Sequence, residues 1–247
     1  MSFEFIPVQT RIVQPPKDEI WDIIDGLEVR EGDIVFITSK ILGIHQGRCV
    51  KVGEVEKTEL IRQEAEYWLP YEHRAGFPVN LTITENVLIP AAGIDESNAN
   101  GYYVLWPKDP DGLCREIRKR LMDRCGVKQL GVVTTDSHTM PLRWGVTCIA
   151  IGLAGVEPLE DIRGEKDIFG REMMVTQVDK IDALSGMAGL LMGEGAEVRP
   201  VVILRGFKDI VFSETASMEN FKIAPEDDIY QPMLDVIRRS GPSSDIG

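Results

Sequence analysis

The chain is poor in the residues and patterns that mark several protein classes. Its four cysteines, Cys49, Cys114, Cys125 and Cys148, form no CxxC pair and sit mostly within apolar runs. That excludes a zinc-ribbon pattern and a dense disulfide framework, and makes reduced, buried thiols the expectation. Basic residues are in deficit: 27 Lys and Arg face 40 Asp and Glu, a formal charge of −13 that opposes attraction to nucleic-acid phosphates or anionic lipid. Neither nucleic acid nor a membrane is expected as a partner. No window approaches the ~18 uninterrupted apolar residues of a membrane span, and no basic segment followed by an apolar stretch opens the chain, so a cytoplasmic location is expected. Internal repeats and low-complexity tracts are absent. So are a GxxxxGK[ST] loop and a complete GxGxxG, which disfavours P-loop and Rossmann nucleotide sites. Any nucleotide must be held in another way.

What is present is enough apolar material for a sizeable core, 43% of 247 residues. Apolar runs bounded by turn residues predict strands over 32–38, 48–52, 80–90, 102–106, 129–135, 146–152 and 200–204. Helical spacing predicts helices over Lys57–Leu69 and Leu113–Cys125, and one carrying Ile181, Leu184, Ala188 and Leu191 that stops at Gly193. Strands and helices alternate irregularly, and the central third lacks helices long enough for regular βαβ crossovers. The predicted fold is therefore α+β, with mixed or antiparallel sheets and packed helices. Residues 1–239 read as one functional unit, with the charged stretch Leu159–Glu172 as the place where two subdomains would divide. Ser240–Gly247, in which Ser, Gly and Pro fall together, reads as a disordered tail.

An acidic protein that holds an anionic ligand needs local cations, either a few Lys and Arg or a divalent metal neutralising carboxylates. Candidate acids gather at the ends of apolar runs. Gly93-Ile94-Asp95-Glu96-Ser97-Asn98 offers good oxygen donors, and also fits an Asx turn or helix cap. Asp109-Pro110-Asp111-Gly112 opens a helix, where acids are stabilised by the macrodipole alone. The strand at 130–133 ends in Thr134-Thr135-Asp136-Ser137-His138, which makes Asp136 a candidate catalytic or ligand-holding acid. His138, single among polar neighbours, fits an orienting role as well as that of a base. Gly193-Glu194-Gly195 combines a carboxylate with glycines that let backbone approach phosphate, or caps a helix. Together Asp95, Asp136 and Glu194 form a candidate hard-oxygen site for Mg²⁺ or Mn²⁺, suited to screening nucleotide phosphates.

Six blocks in one order, GIDESN (93–98), DPDG (109–112), GVVTTDS (131–137), IAIGLAGVEPLEDIRGEKDIFGRE (149–172), LLMGEG (190–195) and VVILRG (201–206), resemble the F420-0:γ-glutamyl ligase family. The resemblance spans most of the chain. It implies a homodimeric, GTP- and divalent-metal-dependent ligase joining L-glutamate to a small acidic acceptor through an acyl phosphate. On the matching motifs Asp95, Asp136, Ser137 and Glu194 fall on metal positions and Asn98 on a nucleotide contact. The loop of Met192, Gly193, Glu194, Gly195, Ala196 and Glu197 matches a nucleotide-binding segment, as does the Ser39-Lys40 pair.

Two departures concern the acceptor. In Thr135-Asp136-Ser137-His138-Thr139-Met140-Pro141-Leu142-Arg143-Trp144-Gly145, Arg143 is kept but Met140 stands where an arginine is usual. Ile44, with His45 beside it, stands where some members carry a lysine. An altered set of cations would recognise a different acid. The SHTxPLR-type segment resembles a branch suspected of acting on folates, and His138 and Arg143 are the candidates for acceptor or phosphate contact. The alternatives are the same chemistry on folate, a metal-dependent phosphohydrolase using the same acids to activate water, or a protein that binds without turnover.

Overall fold

The computed structural model describes residues 2–72 and 78–238. In chain order its elements are β1 (Glu4–Val8), α1 (Trp21–Asp25), β2 (Asp33–Thr38), α2 (Ser39–His45), β3 (Cys49–Lys51), α3 (Lys57–Glu64), β4 (Tyr67–Glu72), β5 (Pro78–Thr84) and β6 (Val87–Pro90). There follow β7 (Tyr102–Val104), α4 (Pro110–Cys125), β8 (Leu130–Thr139), β9 (Val146–Val156), β10 (Leu159–Asp161), β11 (Gln177–Asp179), α5 (Lys180–Met192), β12 (Val201–Arg205), β13 (Phe212–Ser213) and α6 (Gln231–Arg238). The fold is α+β.

The central sheet has the order β1-β12-β2-β8-β9-β13; β2 and β8 run parallel and every other pairing is antiparallel. Its inner strands are apolar throughout because both faces are covered. Period-two alternation divides them. Val35, Ile37, Leu130, Val132, Val201 and Ile203 pack on one face with α1, α2 and α4, while Ile34, Phe36, Val133, Val202 and Leu204 pack on the other with α5. Smaller antiparallel sheets, β4-β5-β6, β3-β7 and β10-β11, complete the chain.

The long helices begin where their sequences supply caps. Asp109 accepts from the Gly112 amide at 2.9 Å and Pro110 occupies the first turn of α4, which ends at Gly126. Asp179 caps α5 by accepting from the Asp182 amide at 2.9 Å. The helix predicted over Lys57–Leu69 is shorter: it stops at Glu64, Ala65 is extended, and Trp68 lies in β4 opposite Thr82. Helical spacing at Leu60, Ile61, Ala65 and Trp68 was a coincidence between one helical face and the first residues of a strand. The predicted strand over 80–90 is a hairpin, turned at Glu85 and Asn86, both with positive φ. The tail Ser240–Gly247, expected to be disordered, lies outside the described residues. All four cysteines are free, with Cys114 and Cys148 buried and Cys49 and Cys125 half-buried.

Candidate functional site

The parallel strand β2 ends at Thr38, paired to Thr135, while its neighbour β8 continues to Thr139. Ser39 and Lys40 follow the end of β2, and Asp136 and Ser137 lie on the part of β8 that runs on past it. The loop after α5 closes toward them, and together they surround a cleft of about 440 Å³. Of the candidates picked from sequence, Lys40, Asp95, Asn98, Asp136, Ser137 and all of Met192–Glu197 line this cleft. Ser39 sits behind the wall, buried and bonded to Asp136.

Asp136 is the buried centre of the wall. Its Oδ1 accepts from Ser39 Oγ at 2.9 Å and its Oδ2 from Trp106 Nε1 at 2.5 Å. Burial pushes its carboxyl up to about 6, with the Asp95 charge adding to the shift and the two hydrogen bonds opposing it. Asp95 behaves oppositely. Burial works against its charge, but Lys40 Nζ at 2.6 Å and the Ser97 amide at 2.7 Å outweigh it and hold the carboxyl below its ordinary value. Lys40 also donates to the Ser97 carbonyl at 2.9 Å, so the lysine stitches α2 to the loop after Ala91–Gly93. Glu194 is raised by burial, with Asp95 and Glu197 adding and Lys40 opposing.

The 192–197 loop is tied to the same region. Asn98 Nδ2 donates to the Gly195 carbonyl at 2.8 Å, and the Gly195 amide donates to Glu197 Oε2 at 2.8 Å. Asp136 and Glu194, each made harder to ionise by the Asp95 charge, form with Asp95 and the Ser137 hydroxyl a hard-oxygen donor set that a divalent cation fits. Among the described residues, however, no three Asp, Glu, His or Cys side chains close on a single point, and Lys40 already neutralises Asp95. Asp95, Asp136, Ser137 and Glu194 are the residues that would hold the ion.

Sequence reasoning missed three wall or support residues. Trp106 closes an apolar run and carries no motif signal, yet it supplies one of the two hydrogen bonds to Asp136. Arg199 lines the cleft with its Nε buried and unbonded among the described residues. Arg11 also lines it but is committed to Asp18 and Asp22, each at 2.7 Å. His138 and Arg143 are not in the cleft wall: His138 continues β8 opposite Thr147, and Arg143 is exposed on the β8–β9 hairpin. Burial lowers the His138 imidazole, which keeps it neutral near pH 7. Ile44 presents an apolar side chain to the cleft, and His45 Nδ1 lies 3.1 Å from Glu19, so neither supplies the cation that other sequences place there.

A mixed-sheet fold with clustered acids, a lysine and a glycine-containing loop around one cleft is the arrangement of a small-molecule enzyme site. The sequence model of the F420-0:γ-glutamyl ligases matches residues 7–206, and the chain belongs to that family. It is 34% identical over 228 residues to the coenzyme F420:L-glutamate ligase of Methanopyrus kandleri, covering 84% of this chain and 88% of the relative. It is 38% identical to the ligase of that name from Methanosarcina mazei, over 97% of this chain and 96% of the relative. For the Archaeoglobus fulgidus protein of the same name the identity is 30%, over 95% and 98%. The family places the chain among enzymes that ligate glutamate.

Proposed function

We propose that the protein is a GTP- and divalent-metal-dependent γ-glutamyl ligase that extends a coenzyme F420-0-type acceptor. The observation that carries the reading is the assembly of Lys40, Asp95, Asp136, Ser137 and the 192–197 loop around one cleft, from four segments far apart in sequence. The 192–197 backbone and Lys40 receive the phosphates, and Asn98 braces that loop. Mg²⁺ or Mn²⁺, which Asp95, Asp136, Ser137 and Glu194 would hold, would supply the charge screening that lets an anionic nucleophile approach phosphorus. The acceptor carboxylate oxygen attacks the γ-phosphorus and GDP leaves. The glutamate amine then attacks the acyl carbon, phosphate departs, and the amine's proton is lost to solvent or a nearby base. Arg199 is assigned to an anionic substrate group, since it is a cleft cation without a partner among the described residues. His138 and Arg143, on the strand and hairpin that leave the cleft, are assigned to acceptor contact.

The SHTxPLR-type segment supports a second acceptor class for the same chemistry, a folate, and Met140, standing where an arginine is usual, leaves the acceptor open between the two. The exposed apolar side chains of Leu142, Trp144, Ile168 and Phe169 support a homodimer. The test is phosphate release with GTP, Mn²⁺ or Mg²⁺ and L-glutamate, comparing F420-0, a tetrahydrofolate and no acceptor, with product mass read out. Growth of one acceptor by one glutamate residue is the expected result. Acceptor-independent phosphate release that vanishes in Asp136→Ala would establish a hydrolase instead.

A further inference from the structure

Two carboxylates that no step above uses hold the strand behind Asp136. The β8–β9 pairing changes register between Thr134 and Thr135: Thr134 stands opposite Gly152 and Thr135 opposite Ala150, so Ile151 is an extra residue on β9. A bulge of this kind bends its strand and re-aims the side chains beyond it. Here the re-aiming is visible. Leu153 packs with the α5 cluster and Gly152 faces Pro110 of α4, so strict alternation would return Ile151 to the α5 side. Instead Ala150 joins the α5 cluster, while Ile151 packs with Trp106 and Ile89, and Ile149 packs beside them. Ile149 and Ile151 are therefore the apolar support of Trp106, whose indole N–H donates to Asp136. Gly93, at φ +70, lies so close to the same indole that it has no room for a side chain.

The bulge is gripped from both faces of the sheet. On one side of Ile151 the Ala150 amide donates to Asp182 Oδ1 at 2.8 Å, from the first turn of α5. On the other the Leu153 amide donates to Asp111 Oδ1 at 2.8 Å, from the first turn of α4. The second oxygen of Asp111 accepts from the Met218 amide at 2.9 Å, and a β-carbon at Gly152 would come within 2.6 Å of Pro110 Cβ. Register slips are resisted where amides flanking such an extra residue are satisfied by side chains and a neighbour is wedged.

We propose that Asp182 and Asp111 are positioning residues of the candidate active site: by gripping the β9 bulge they seat Ile149 and Ile151 under Trp106 and thereby fix the Trp106 hydrogen bond to Asp136. The consequence for turnover rests on the ligase reading given above; the grip and its effect on Trp106 rest on geometry alone. Asp182→Ala removes the acceptor for Ala150. Asp182→Asn keeps an acceptor oxygen and turns an amide N–H₂ toward Asp179, the carboxylate that already accepts the Asp182 amide. The asparagine variant is thus the conservative control.

The experiment follows the indole N–H signals of the four tryptophans in ¹⁵N-labelled protein, Trp106 being the one lost in Trp106→Phe. Asp182→Ala shifts the Trp106 signal and Asp182→Asn restores it; a folded Asp182→Ala protein with an unmoved Trp106 signal would overturn the proposal. If Asp182→Ala does not fold, Ile151→Val trims the support directly, and an unmoved signal there has the same meaning. In glutamate-dependent turnover, Asp182→Ala lowers kcat by about tenfold or more, leaves KM for GTP within about threefold, and has no added effect in the Trp106→Phe background. Equal losses in both backgrounds would reduce Asp182 to a stability role. A wild-type protein that ligates no glutamate defeats the ligase reading and leaves the indole result standing.

Discussion

Asp136 is the residue on which the acid chemistry of the site converges. Its carboxyl is pushed up to about 6 from an ordinary 3.8, chiefly by burial. Between those two values the folded chain binds more protons than the unfolded one, so this group's contribution to stability falls as pH rises from about 3.8 to about 6 and stays low above that. A shift of about two units corresponds to about 3 kcal/mol as an upper bound. Asp136→Asn is therefore expected to be more stable than wild type at about pH 7.5, by up to that amount, and nearly equal to it at about pH 4. Urea unfolding at the two values checks this, and the same variant should lose turnover. Lys40 works in the other direction. Its removal in Lys40→Met leaves Asp95 and Glu194 without their cation, and KM for GTP is expected to rise at least about tenfold while the fold persists. Steady-state kinetics with thermal unfolding separates the two effects. At this scale the acids were legible in sequence because each closes an apolar run or sits beside glycine. Trp106 was not, because a tryptophan closing an apolar run reads as core until a partner 30 residues away in sequence is seen bonding to it.

At the scale of elements, the inner strands of the central sheet could be read from continuous apolar runs, whereas their neighbours could not. β1, β12 and β2 are held edge to edge partly by Arg205, which reaches across from β12 to the buried Asp33 at 2.8 Å. Breaking that pair from the arginine side leaves a buried carboxylate uncompensated. Arg205→Met is expected to cost about 3–5 kcal/mol, and Asp33→Asn in the same chain to recover much of it, measured by denaturant titration. In α4, Leu121→Ala removes a fully buried side chain and should cost about 2–5 kcal/mol with turnover per folded molecule unchanged, since the helix touches the cleft only through the strand it covers. The overextended helix at 57–69 shows the limit of periodicity. Spacings of three and four residues continue past Glu64 into a strand, and what ends the helix is the pairing of β4 with β5, a contact invisible to local sequence.

For the molecule as a whole, a formal charge of −13 makes self-repulsion part of its energetics. Raising salt from about 10 to about 150 mM is expected to raise the unfolding temperature, because screening relieves repulsion more than it weakens the few buried pairs. The exposed apolar residues Leu142 and Trp144 at the hairpin tip carry the homodimer proposal. Sedimentation should give twice 27.6 kDa for wild type and a single chain for Trp144→Asp, and wild type at a single mass would remove the proposal. By itself the sequence determined the fold class, the main strands and helices, the family and the set of acids, because apolar periodicity, capping residues and short motifs are local properties of the chain. Only the tertiary structure decided which acid is buried, that Lys40 answers Asp95, that Trp106 bonds to Asp136, and that a one-residue bulge on β9 sets the support beneath that bond. Each of these depends on contacts between segments far apart in sequence, and burial, pairing and register arise only when the sheet closes them together.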